Sequence, residues 1–109
     1  MDPKLLTGFL ELLILETLSA GPSYGYAITQ EVLSRSGSRF ELKEGSLYPA
    51  LHRLEREKLL KSSWGEGDGR QRKYYEITSA GRKALDQKKS EWADFAAGIN
   101  GVLGLRWEV

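Results

Sequence analysis

Residues 44–60 read EGSLYPALHRLEREKLL, and this stretch decides the fold. Leu47, Leu51 and Leu54 recur at spacings of four and three, which places them on one side of an α-helix. Pro49 lies inside that pattern, and without an amide hydrogen it fits only near the first turn, where amides lack partners anyway. The spacing therefore predicts a helix that starts near Gly45 or Ser46. Tyr48, His52 and Arg56 fall on a second face with Arg53 beside them. That face is polar, aromatic and cationic.

Upstream, Leu6, Leu10, Leu13, Thr17 and Leu18 repeat at helical spacing, with Phe9 and Ile14 widening the stripe, and predict a first helix from about Leu5 to Ser19. Ala20, Gly21 and Pro22 stop it. Ser23 is then expected to cap a second helix that carries Tyr24, Ala27, Ile28 and Val32 on one side, with residues 34–38, SRSGS, as a loop. Downstream of Leu60 the period changes. A turn-rich run from Gly65 to Gly69 precedes RQRKYYEIT, residues 70–78, in which Tyr75 and Ile77 alternate with polar neighbours. Two short antiparallel strands around a glycine-rich tip fit this pattern, with Trp64 expected to pack on the hairpin and Arg70, Arg72 and Lys73 to supply its basic tip. Thr78 or Ser79 caps a long last helix with a seam of Leu85, Lys88, Trp92, Phe95, Ile99 and Val102. Gly98, Gly101 and Gly104 predict fraying at its far end, and Trp107 is read as a mobile tail residue.

The chain has 109 residues, enough for about one domain with a modest core and too few for a second, catalytic domain. It has no cysteine, so disulfides, thiolate metal sites and thiol nucleophiles are excluded, and a reducing, cytoplasmic location is the default expectation. The apolar stretch from Leu5 to Leu18 is broken by Thr7, Glu11, Glu16 and Thr17, which fits neither a signal peptide nor a membrane span. The net charge of +1 decides nothing about partners, but residues 43–73 hold eight basic against five acidic residues, a local surplus of three. His52, the single histidine, has no second ligand or triad partner at an informative spacing. No phosphate loop or metal-ligand spacing is present, so neither an enzyme nor a cofactor is expected.

Three helices, a hairpin and a long helix form the order of a winged helix-turn-helix, mainly α with a small β-hairpin. Residues 1–78 would form that unit and residues 79–109 a dimerisation helix with its tail. In this geometry the third helix enters the major groove and the hairpin reaches phosphate or minor groove. The segments GPSYGYAITQEV (21–32), EGSLYPALHRLE (44–55) and GRQRKYYEITSAGRKAL (69–85) resemble the signature segments of the PadR family of bacterial transcriptional regulators, and the resemblance extends over roughly Leu5 to Leu103. It implies a sequence-specific regulator, a repressor on a pseudo-palindromic operator, that binds double-stranded DNA as a homodimer. It further implies Ser46, Tyr48, Pro49, His52, Arg53 and Arg56 as DNA-facing residues of a recognition helix, and Arg70, Arg72 and Lys73 as wing contacts. One departure stands out. Lys58 occupies a position where the family usually has glycine, so either Lys58 accepts a left-handed turn or the helix runs further.

The last-helix seam, with Phe9 on the first helix, is expected to form the dimer interface, since a monomer would leave its apolar stripe exposed. In the similar small regulators with a single dimerisation helix, tryptophans of that helix come near the dimer axis. Trp92 then either lines a pocket for a planar aromatic effector or simply fills the interface, and both readings stay open. Each cationic face also has a plainer reading: a solvated helix surface around His52, and a charged hairpin edge that discourages aggregation. A winged-helix protein–protein interaction module without DNA binding is the competing function.

Overall fold

The structure, a computed structural model, describes residues 3–105. Trp107 and the expectation attached to it lie outside the described residues. The elements are α1 (Pro3–Thr7), α2 (Leu10–Leu18), β1 (Ser23–Tyr24), α3 (Gly25–Arg35), α4 (Glu44–Arg56), β2 (Leu60–Gly67), β3 (Arg70–Ile77) and α5 (Ser79–Leu103). The three strands form one antiparallel sheet in the order β1-β3-β2. The single helix expected from Leu5 to Ser19 is two. At the junction Phe9 leaves helical geometry with ψ of 6°, and its amide bonds only three residues back, to Leu6. Gly8, a poor helix former, precedes this break.

Ser23 does not cap α3. It joins the sheet opposite Tyr75, and Tyr24, opposite Tyr74, is the residue from which α3 starts, without a side-chain cap. The hairpin strands are longer than the glycine run suggested, pairing from Leu60 with Ile77 to Gly67 with Arg70. Only Asp68 and Gly69 make the turn, at φ of 54° and 75°, the positive pair that a two-residue type I′ connection needs. Trp64 does not pack on the hairpin; it is 68% exposed.

Leu15, Leu18, Ile28, Leu47, Leu51, Leu54, Leu60 and Tyr75 form the centre of the core, so the leucine stripe that set the reading of α4 does face inward. α4 begins at Glu44, slightly earlier than expected, and Pro49 therefore sits in its second turn. The proline cannot donate to the Gly45 carbonyl, which lies on an exposed residue where water can satisfy it. Past Glu57 the helix closes with Lys58 in the left-handed region (φ 65°): Leu59 N–H donates to Leu54 O at 3.0 Å and Lys58 N–H to Glu55 O at 2.9 Å. This is the double bond pattern of a Schellman cap, which glycine usually serves.

Thr78 caps α5, its hydroxyl accepting from Gly81 N–H at 3.0 Å and donating to Lys58 O at 2.8 Å. Gly81 is packed so closely that a Cβ would fall 2.7 Å from Ile77 Cγ1 and collide with the Leu59 carbonyl. These contacts fix where α5 leaves the body. Leu85 is its last buried residue, Lys88, Lys89, Trp92 and Phe95 still touch α2 or Phe9, and the part beyond them overhangs in a molecule that measures 52 × 28 × 23 Å. The helix is continuous through Gly98 and Gly101 and ends at Gly104, which takes the left-handed cap at φ 74°. Among the described residues no helix is long and apolar enough to cross a membrane.

Candidate nucleic-acid interface

α4 turns Leu47, Ala50, Leu51 and Leu54 inward, and Ser46, Tyr48, Pro49, His52, Arg53 and Arg56 are all exposed. Pro49, His52 and Arg56, at spacings of three and four, run along the middle of the exposed face. Tyr48 and Arg53 occupy its two flanks and are not equivalent. The Tyr48 ring lies over Gly25 at the start of α3, where an added Cβ would stand 2.9 Å from its Cζ, so Gly25 is what admits the ring. On the other flank, Arg53 donates from Nε to Glu11 of α2 at 2.8 Å.

The three hairpin cations also separate. Arg70 stands exposed beside the turn, with no ion-pair partner among the described residues. Arg72 and Lys73 point to opposite sides of β3, as successive strand residues do. The Arg72 guanidinium lies 4.2 Å above the Tyr24 ring and bonds Asp68 at 3.1 Å, while Tyr24 meets Tyr74 edge-on at 5.6 Å. Lys73 faces α4, 3.7 Å from Glu55 and 5.6 Å from the Tyr75 ring. The basic tip expected from Arg70, Arg72 and Lys73 is thus corrected. Asp68 and Gly69 form the tip, Arg70 is its free cation, and the other two are engaged in holding the wing to the body. Burial, reinforced by the nearby Glu55 carboxylate, pushes the Tyr75 phenol above its ordinary value and keeps it neutral.

Between the start of α3, α4 and β3 lies a cleft of about 420 Å³ bordered by Tyr26, Tyr48, Arg70 and Arg72. Hydroxyl and guanidinium donors converge there, a chemistry suited to phosphate oxygens. Tyr26, two-thirds exposed, escaped the sequence reading, and Tyr24, read there as part of a helix face, instead lies in β1 beneath Arg72, although the aromatic pair around Gly25 in SYGY was a signal. The partners of Glu11 escaped it too; Glu11 was read only as one of the polar residues that break the apolar stretch of the first helix.

The residues expected at a dimer interface differ in burial. Leu85 is buried in the protomer's own core. Phe9 is half-buried against its own α5, 4.9 Å from Trp92 in an edge-on contact and 6.1 Å from Phe95. Trp92, Phe95, Ile99 and Val102 stay exposed along α5. The aromatic cluster borders a groove of about 630 Å³ between α2 and α5 whose rim carries Glu11, Arg53 and Lys88. Among the described residues no three His, Asp or Glu side chains are grouped to hold a metal ion.

Residues 14–87 match the model of the transcriptional regulator PadR-like family. The chain belongs to that family. A transcriptional regulator of Mycobacterium tuberculosis, Rv3488, is 44% identical over 78 residues, covering 72% of this chain and 70% of that protein. Among solved structures, a transcriptional regulator from Clostridium thermocellum superposes with a TM-score of 0.84 at 36% identity over 90% of this chain and 96% of the other. A PadR family transcriptional regulator from Eggerthella lenta gives 0.79 at 34% identity over 92% and 86%. The fold of the PadR-like chain is accordingly a winged helix-turn-helix with a long carboxyl-terminal helix. The family match ends at Gln87, inside α5, but the structural likeness continues along the overhang of this PadR-like regulator.

Proposed function

We propose that this PadR-like regulator binds double-stranded DNA sequence-specifically as a homodimer, acting as a repressor on a pseudo-palindromic operator in the cytoplasm. The observation that carries this reading is the exposed face of α4, where Pro49, His52 and Arg56 stand clear of the body beside a hairpin whose free cation, Arg70, lies at its turn. A helix presented in this way fits the major groove, and the wing then reaches adjoining backbone. Residues 1–78 serve as the DNA-binding unit and residues 79–109 as the dimerisation segment. Trp92, Phe95, Ile99 and Val102 supply the apolar surface that a second copy would cover. The groove beside Phe9, Trp92 and Phe95 has the size and aromatic walls for a planar aromatic effector.

The test is selection of duplexes from a random library by the purified protein. The proposal expects enrichment of an inverted repeat whose half-site centres lie about one helical turn apart, since a twofold dimer presents two equivalent α4 helices. The competing protein-interaction module predicts no enrichment and no duplex binding even at low salt.

A further inference from the structure

Glu11 joins three elements through one carboxylate. One oxygen accepts the Arg53 Nε hydrogen from α4 at 2.8 Å, and the other lies 3.8 Å from Lys88 Nζ of α5. The acid is only 25% exposed, while Arg53 remains 48% exposed. The choice of nitrogen matters. A carboxylate that holds Nε occupies the side that Nε–H shares with one Nη, and it leaves free the end-on pair of N–H groups, one from each Nη; among the described residues neither Nη has a partner. Because the guanidinium is planar and rigid, fixing Nε also fixes the direction of the outer pair. Arg53 is about half exposed on the flank of α4 that borders α2, next to the exposed face proposed to meet DNA, so the outer fork is accessible to a ligand there.

We propose that Glu11 is a positioning residue for DNA recognition: it aims the two Nη groups of Arg53 at a bidentate acceptor on the duplex, and Lys88 braces the carboxylate from behind. Such an acceptor is either the O6/N7 edge of guanine or a pair of phosphate oxygens. The inference rests on the DNA-binding reading above. It also connects α4 to the helix that carries the overhang, through a side chain on neither the recognition helix nor the wing.

The sign of the effect separates this role from simple electrostatics. Glu11 is a negative charge near a polyanion, so by charge alone its removal would tighten binding. Positioning predicts the opposite, because an unbraced Arg53 must be ordered at the moment of binding. The experiment measures affinity of the full chain for the duplex enriched by the wild type and for a random duplex, with thermal unfolding as a control for folding. Glu11→Met, which keeps length but removes the acceptor, should weaken the enriched duplex about three- to tenfold per half-site. Glu11→Gln keeps an acceptor oxygen for Nε and should recover part of that loss. In an Arg53→Lys background there is no Nε to brace, and Glu11→Met should then leave binding equal or tighter. A loss confined to the enriched duplex identifies a base edge as the acceptor; an equal loss on both identifies phosphate. Should Glu11→Met destabilise the fold, Glu11→Ala offers the best helix former at that position with the same expected sign. Equal or tighter binding of these variants when Arg53 is intact overturns the proposal, as does the same loss in the Arg53→Lys background. Absence of duplex binding by the wild type would refute the DNA-binding reading instead.

Discussion

Lys58 illustrates what a single residue reveals here. Its position after α4 requires a left-handed backbone, and the Schellman bonds from Lys58 and Leu59 hold it there at φ 65°. An L-residue in that conformation is strained by roughly 1 kcal/mol, partly offset because glycine would lose more freedom on folding. Lys58→Gly should therefore raise stability by about 0.5 to 1 kcal/mol, read as a shift of the urea midpoint without a change of slope. An unchanged or lowered midpoint would show that Lys58 is not strained. The family resemblance flagged this position and left open a left-handed turn or a longer helix, while the inward Leu47, Leu51 and Leu54 were legible from local spacing. The partners of Arg53, Arg72 and Lys73 were not. Arg53 and Glu11 lie 42 residues apart in the chain, and only the packing of α2 against α4 brings them together. The exposed Trp64 misled for the opposite reason: its size suggested burial, but it lies further out along the wing than Ser62, on the side of the hairpin that α4 covers only near its base.

Among the elements, α4, the hairpin and α5 were readable from periodicity, and α5 starts at Ser79 with Thr78 as its cap, one of the two caps expected. Periodicity could not show the break between α1 and α2, since apolar residues continue through Gly8 and Phe9 while the Phe9 ring turns to meet Trp92. β1 was invisible for a related reason. Two residues are too few for an alternating pattern, and Ser23–Tyr24 is a strand only because β3 lies alongside. α5 carries the element-scale prediction. Its 25 residues extend about 37 Å. Leu85 anchors it in the protomer, so the dimerisation surface proposed above reduces to the exposed part from Trp92 onwards. Phe95→Asp with Ile99→Asp should convert a dimer to a monomer in sedimentation at micromolar concentration, with thermal stability of the remaining core little changed because neither side chain is buried within the protomer. A monomeric wild type, or a double variant that stays dimeric, would rule out this surface.

At the scale of the whole molecule, the arrangement separates two surfaces: the exposed face of α4 beside the wing, and the apolar outer half of α5. The chain as a whole is nearly neutral, so any attraction to nucleic acid must come from how the charges are placed rather than from their sum. Arg70 is the sharpest probe of that placement, since Arg72 and Lys73 are already paired with Asp68 and Glu55. The most direct measurement is duplex affinity across a salt series for the wild type and Arg70→Gln. Bound phosphates release counterions, so the account predicts wild-type affinity that falls linearly on logarithmic axes. Arg70→Gln should reduce the slope by roughly 0.9 for each phosphate contact removed, with two such contacts in a dimer. No duplex binding at low salt, or a slope identical in the two proteins, would contradict it.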